Sequence, residues 1–118
     1  MADIKQIYFN DFGTSFYWIK DNKVVADKIQ LIFRETGFYF SREELYDFKD
    51  CIQESYSLNK DCADCQLKRY CQQFLLKTPC SQIDLAMTME ELNKVEDLVE
   101  GTLFKINLED YLYGIGLN

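Results

Sequence analysis

The stretch FYFSREEL, residues 38–45, predicts where a strand ends and a helix begins. Its aromatic residues are typical of a β-strand. Ser41 is followed three positions later by Glu44, which is the spacing of a capping box. In that motif the hydroxyl and the carboxylate each accept a hydrogen bond from a free amide at the start of a helix. We therefore expect a helix to begin directly after Ser41.

A second copy of this pattern lies further along the chain, where LAMTMEEL occupies residues 85–92. Thr88 and Glu91 have the same capping-box spacing. Behind each box, apolar residues recur every three or four positions, which predicts a helix with one apolar face. Two strand-like runs precede each helix. The sequence therefore predicts two strand-strand-helix units related by an internal repeat.

Loops are predicted between the two strands of each unit. In the first unit the loop is RETG, residues 34–37, and Gly37 is expected to supply a positive φ. In the second unit Pro79 lacks an amide donor and is expected to end the first strand.

The rest of the chain completes an α+β fold, with a mainly antiparallel sheet and helices on one face. Gly101 is expected to end the second helix. Asn107 is expected to cap a short C-terminal helix over Leu108–Tyr113. We predict a single domain that comprises N-terminal strands over 1–27, the first unit over 28–57, a Cys-containing connection over 58–72, the second unit over 73–101 and a C-terminal segment over 102–118.

Composition excludes several classes of function. The 118 residues are 47% hydrophobic and 28% charged, as in an ordinary globular protein. Histidine is absent, which excludes Ser-His and Cys-His catalysis and His-ligated metals. The net charge of −7 argues against a nucleic-acid partner. We expect a non-enzymatic interaction or structural module, with a small enzyme that uses Asp, Glu, Tyr or Lys as a further hypothesis.

Four of the five cysteines, Cys62, Cys65, Cys71 and Cys80, lie close together in the sequence. Cys62 and Cys65 form a CxxC, a spacing that allows two thiolates to bind one metal ion. A structural zinc site usually needs four ligands, so the alternative function is a small metalloprotein that binds zinc through all four. An iron–sulfur cluster is a less favoured interpretation. Free thiols, with no cofactor, are the expectation for the main fold.

Aromatic residues make up 15% of the chain, and the run Phe16-Tyr17-Trp18 places rings on both faces of a strand. One face meets the core, and the other meets a helix, a partner or solvent. We expect self-association as a homodimer, and neither a nucleic-acid nor a membrane partner. The odd number of cysteines and the absence of a signal-peptide pattern favour a cytoplasmic location.

Four segments resemble a small bacterial family of domains of unknown function. They are residues 28–33 (KIQLIF), 38–45 (FYFSREEL), 77–80 (KTPC) and 85–92 (LAMTMEEL). The resemblance extends from residue 28 to the end of the chain. It implies a compact cytoplasmic α+β domain and carries no activity, substrate, cofactor or catalytic residue.

Overall fold

The computed structural model describes residues 3–58 and 74–114. Its elements, in chain order, are β1 Asp3–Phe9, β2 Gly13–Lys20, β3 Lys23–Phe33, β4 Thr36–Phe40, α1 Arg42–Leu58, β5 Phe74–Lys77, β6 Asp84–Met87, α2 Met89–Glu109 and a π-helical turn Asp110–Gly114. The first four strands form an antiparallel sheet in the order β1-β2-β3-β4, and β5 pairs with β6 separately. The predicted α+β class with a mainly antiparallel sheet is confirmed.

Both helices begin at the predicted capping boxes. The Ser41 amide donates to the Glu44 carboxylate at 2.9 Å, and the Glu44 amide donates to the Ser41 hydroxyl at 3.2 Å. The Thr88 and Glu91 pair makes the same two bonds at 2.9 and 3.1 Å. Because its carboxylate accepts the Ser41 amide, Glu44 has a pKa below its ordinary value. Ser41 and Thr88 thus mark the two changes from strand to helix.

The two units have the predicted order of elements, β3-β4-α1 and β5-β6-α2. Their hairpins belong to different sheets, one of four strands and one of two. The internal repeat therefore stays a prediction. β3 begins at Lys23, so the boundary predicted between residues 27 and 28 falls inside this strand. Apart from Leu58, the predicted connection over 58–72 lies outside the described residues.

The connection between β3 and β4 differs from the prediction. Phe33 pairs directly with Thr36, so the turn consists only of Arg34 and Glu35. The residue with positive φ is Arg34, at 54°, and no glycine among the described residues has a positive φ. The role predicted for Gly37 was wrong because a two-residue hairpin places its left-handed backbone inside the turn. Gly37 lies in β4 instead.

The predicted end of the second helix was also wrong. α2 continues through Gly101 and ends at Glu109. Asn107 is an interior residue of α2, and no separate helix spans Leu108–Tyr113, which lies in the end of α2 and its π-helical turn. The buried face of α2 extends to Ile106, so packing holds the helix together past a glycine that by itself costs about 1 kcal/mol.

An aromatic cluster lies at the centre of the core, between the four-stranded sheet and α1. The ring of Phe48 in α1 lies 5.6 Å from that of Phe40 and 5.9 Å from that of Phe38, measured between centroids. The ring of Phe33 stacks on that of Phe48 at 6.4 Å. These contacts fix which face of the sheet the helices cover.

Candidate interaction surface

The helices lie on one face of the four-stranded sheet. In β2, Tyr17 is buried in the core, and Ser15 Oγ lies 2.6 Å from Thr102 Oγ1 of α2. Because side chains alternate along a strand, Phe16 and Trp18 point to the opposite side. We call that side the outer face. Its large apolar residues are Ile4, Phe9, Phe16, Trp18, Ile32 and Tyr39.

A β-bulge in the edge strand β1 keeps its apolar end on the outer face. The register of β1 shifts at Ile7, so Gln6 and Phe9 lie on the same side although they are three residues apart. Gln6 Nε2 donates to Thr14 Oγ1 at 3.0 Å, and Thr14 is the cross-strand partner of Phe9. The bulge thus adds an aromatic side chain to the outer face.

Most of the large apolar residues of the outer face remain in contact with solvent. The exposed fraction is 63% for Phe9, 48% for Ile4, 42% for Tyr39 and 36% for Ile32. The described helices pack against the other side of the sheet. The outer face therefore carries exposed apolar side chains on β1, β3 and β4 around the ring of Phe16, which is itself only 5% exposed. Grouped exposed apolar side chains mark interaction sites.

The two polar side chains near the centre of the outer face, Trp18 and Gln30, are hydrogen-bonded within the chain. Trp18 Nε1 donates to Gln30 Oε1 at 3.2 Å, and Gln30 Nε2 donates to the Phe38 carbonyl at 3.1 Å. The rings of Phe16 and Trp18 meet edge to face at 5.0 Å between centroids. If a second protein covered this surface, the Trp18 indole and the Gln30 amide would both keep their hydrogen bonds.

Charge is divided unequally between the sheet and the helices. α1 carries five acidic and two basic residues, and α2 carries six and two. Residues 3–40, which contain the sheet, carry five of each. On the outer face Lys20 lies opposite Lys23, and Lys28 Nζ lies 5.4 Å from the centroid of the Tyr39 ring. Within the described strands, no acidic residue occupies a paired position on the outer face.

One of the four predicted metal ligands, Cys80, lies within the described residues. Cys62, Cys65 and Cys71 lie outside the described residues. Cys80 is exposed in the turn between β5 and β6, where its Sγ donates to Gln82 Oε1 at 3.4 Å. Among residues 3–58 and 74–114, no group of three potential ligands could hold a metal ion. The zinc site therefore stays a prediction.

The fifth cysteine, Cys51, lies half-buried in α1 against the core. Burial raises the pKa of its thiol, and the carboxylate of Glu54 adds to the rise. Together with Leu58, Leu75 and Lys77 it borders a cavity of about 30 Å³. Because a raised pKa leaves less of the reactive thiolate, Cys51 is a poorer nucleophile than a free cysteine and acts as a small apolar residue.

Two tyrosine–carboxylate pairs bear on the hypothesis of an enzyme without histidine. The Tyr8 hydroxyl donates to Asp97 at 3.0 Å, and the Tyr56 hydroxyl donates to Glu96 at 3.4 Å. The bond to Asp97 raises the pKa of Tyr8. Burial, aided by Glu96, raises the pKa of Tyr56 to about 12. Both tyrosine pKa values are therefore further from neutral than that of a free tyrosine, whereas a general acid or base works best with a pKa near the working pH. Both pairs connect α2 to a neighbouring element.

An open groove of about 230 Å³ lies between α1 and α2. Its walls mix apolar side chains such as Phe104 with the charged Lys49 and Glu100. Across it, Asn107 Nδ2 donates to the Tyr46 hydroxyl at 2.9 Å. The groove thus contains a polar contact that joins the exposed sides of the two helices.

Comparison of the chain with models of protein families, with curated proteins and with solved structures finds no match. The family resemblance inferred from the sequence therefore stays a prediction. Among the described residues, neither helix has the length and hydrophobicity that crossing a membrane requires.

The sequence predicted rings on both faces of a strand but left open which face the helices cover. It also gave no role to the lysines of the outer face. The sequence of β2 contains the pattern that groups these residues, because Phe16, Trp18 and Lys20 recur at every second position. Alternation assigns all three to one face, but only the tertiary packing determines which one.

Proposed function

We propose that this protein is a self-associating interaction module in which two copies pack through the outer faces of their four-stranded sheets. The observation that carries the proposal is the combination of exposed apolar side chains with polar groups that are already paired. Phe9 and Ile4 supply the exposed apolar surface. Trp18 and Gln30 supply polar atoms that lose no hydrogen bond on burial.

The dimensions of the outer face fit a modest interface. Strands lie about 4.8 Å apart and rise about 3.3 Å per residue, so four strands of eight residues present roughly 500 Å². A standard stable interface buries about 800 Å² on each partner. The outer face therefore supports a dimer whose population depends on concentration. Its aromatic side chains are of the types that dominate binding energy at interfaces.

The distribution of charge favours this surface over the helices. Stacked sheets lie about 10 Å apart, and each helix layer lies roughly 10 Å beyond its own sheet. The two acidic layers would then be about 30 Å apart, well beyond the screening length of about 8 Å at physiological salt. Association through the helices would bring together two layers that each carry 11 acidic and four basic residues in α1 and α2.

Sedimentation velocity with two matched variants tests the proposal. Phe9 on the outer face and Phe104 on α2 are exposed to 63% and 64%. We expect the wild-type mass to rise from 14.0 kDa towards twice that value with concentration. Phe9→Lys should raise the dissociation constant at least about tenfold, because each substitution occurs twice in a two-fold interface. Phe104→Lys should leave it unchanged.

Three outcomes would contradict the proposal. They are a wild-type chain that stays at 14.0 kDa at every concentration, an equal loss in both variants, and a loss confined to Phe104→Lys. Circular dichroism of both variants serves as the control for folding.

The alternative function is a small zinc protein that uses Cys62, Cys65, Cys71 and Cys80. The observation in its favour is that the thiol of Cys80 is exposed, so it is accessible to a metal ion. Elemental analysis of protein purified without added metal tests it. A structural site should retain close to one zinc per chain, and less than about 0.2 would contradict it.

A further inference from the structure

We infer that the two copies stack antiparallel, with the Lys20–Lys23 end of one outer face over the Phe9 end of the other. This inference rests on the proposed self-association. It adds the direction of stacking, which the exposed apolar side chains alone do not determine.

The two ends of the outer face differ in charge. At one end Lys20 pairs with Lys23, next to the β2–β3 turn that contains Asp21. At the other end Phe9 pairs with Thr14 in a row that carries no charge. Thr14 and Lys20 are six residues apart on β2, which corresponds to about 20 Å. The outer face is therefore basic at one end and neutral at the other.

Two face-to-face arrangements have two-fold symmetry. When the axis runs parallel to the strands, the lysine pair of one copy faces the lysine pair of the other. Four ammonium groups would then crowd together with only the two Asp21 carboxylates beside them, and this excess of like charge at a partly dehydrated surface is unfavourable. When the axis runs across the strands, each lysine pair lies over the neutral row of its partner.

The second arrangement suits the chemistry of the lysine side chain. The methylene stems of Lys20 and Lys23 can cover the partner's apolar end, with the ammonium groups at the rim in water. An ammonium over an aromatic ring is also attracted to the ring face. The chain already contains such a contact, since Lys28 Nζ lies 5.4 Å from the centroid of the Tyr39 ring. Phe9 offers an exposed ring at the other end of the sheet.

A charge-swap experiment, measured by sedimentation equilibrium, tests the direction of stacking. In the antiparallel dimer each strand lies over its own copy, so a lysine introduced by Ile32→Lys in β3 meets the partner's Lys23, with Lys20 on the next strand. The carboxylate introduced by Ile32→Glu meets opposite charge. We expect Ile32→Glu to dimerise at least about tenfold more tightly than Ile32→Lys. Adding Lys20→Glu and Lys23→Glu to Ile32→Lys should recover at least about tenfold in affinity.

Two controls accompany the swap. Lys20→Glu with Lys23→Glu alone should dimerise within a few-fold of the wild type, because these positions then face the neutral row. Circular dichroism should show that every variant is folded; Lys20 and Lys23 are exposed, and Ile32 is 36% exposed.

The other arrangement predicts different results. β3 of one copy would then lie over β2 of the other, so position 32 would meet the neutral Thr14 and no lysine. Ile32→Lys and Ile32→Glu would therefore weaken the dimer equally, and the triple variant would not recover. That outcome, with a dimeric wild type, overturns only the direction of stacking. A wild-type chain that stays monomeric at every concentration overturns the proposed function as well.

Discussion

The ring of Tyr8 occupies the space that a side chain at position 101 would need. A Cβ on Gly101 would lie 2.4 Å from Cε2 and Cζ of that ring. The Tyr8 hydroxyl in turn donates to both carboxylate oxygens of Asp97, at 3.1 and 3.0 Å. The glycine thus allows the edge strand β1 to approach α2 and to bond with it.

This contact predicts that Gly101→Ala destabilises the protein, although alanine is favoured over glycine in a helix by about 1 kcal/mol. Overpacking against Tyr8 should lower the free energy of unfolding by about 1–3 kcal/mol. In a Tyr8→Ala background the same change should be stabilising, because the space is then free. Urea denaturation of the four proteins measures both effects. The same sign in both backgrounds would show that the ring is not the cause.

Asn10 makes four hydrogen bonds that hold the β1–β2 turn against α2. Its Oδ1 accepts from the amides of Phe12 and Gly13, at 2.8 and 2.9 Å. Its Nδ2 donates to the Lys94 carbonyl at 2.9 Å and to Asp97 at 3.0 Å.

We therefore expect Asn10→Ala to lower the free energy of unfolding by roughly 2 kcal/mol or more, since several groups lose a partner at once. Asn107→Ala is the matched control, because the Asn107 side chain is exposed and donates a single hydrogen bond within the described residues, to the Tyr46 hydroxyl. The Asn107→Ala substitution should lower the free energy of unfolding by less than about 1 kcal/mol. Chemical denaturation measures both substitutions. Equal losses of unfolding free energy would contradict the view that the hydrogen bonds of Asn10 hold the β1–β2 turn against α2.

The two helix caps predict similar losses at separate places in the chain. Ser41→Ala and Thr88→Ala should each lower the free energy of unfolding by about 1 kcal/mol, because each leaves an amide of the first helical turn without its acceptor. Thr88→Ser keeps the hydroxyl and should retain most of the stability. Urea denaturation checks all three. A loss in Thr88→Ser as large as that in Thr88→Ala would point to packing rather than capping.

The raised pKa of Tyr56 predicts that the protein loses stability at alkaline pH. Its pKa is about 12 in the folded chain, against about 10 when unfolded. A raised folded pKa contributes stability that is present below pH 10 and is lost as the pH rises through about 12. The unfolding free energy of the wild type should therefore fall relative to that of Tyr56→Phe across this window. A constant difference between the two proteins would contradict the shift.

The sequence predicted those features that depend on local spacing. The capping boxes at Ser41 and Thr88 are set by residues three positions apart, so they could be identified without tertiary information. The roles predicted for Gly37 and Gly101 were wrong because one depends on the length of a turn and the other on the packing of α2, which holds the helix together beyond the glycine. The outer face could not be assigned because alternation gives two sides and only packing determines which one the helices cover.

The central claim, self-association through the outer face, is tested most directly by the fluorescence of Trp18. It is the one tryptophan of the chain and lies on the outer face beside Phe16. Dilution from millimolar to micromolar protein should shift its emission to longer wavelength, until it coincides with that of the Phe9→Lys variant, because the indole then loses its cover. Identical emission from wild type and variant at every concentration would contradict the claim.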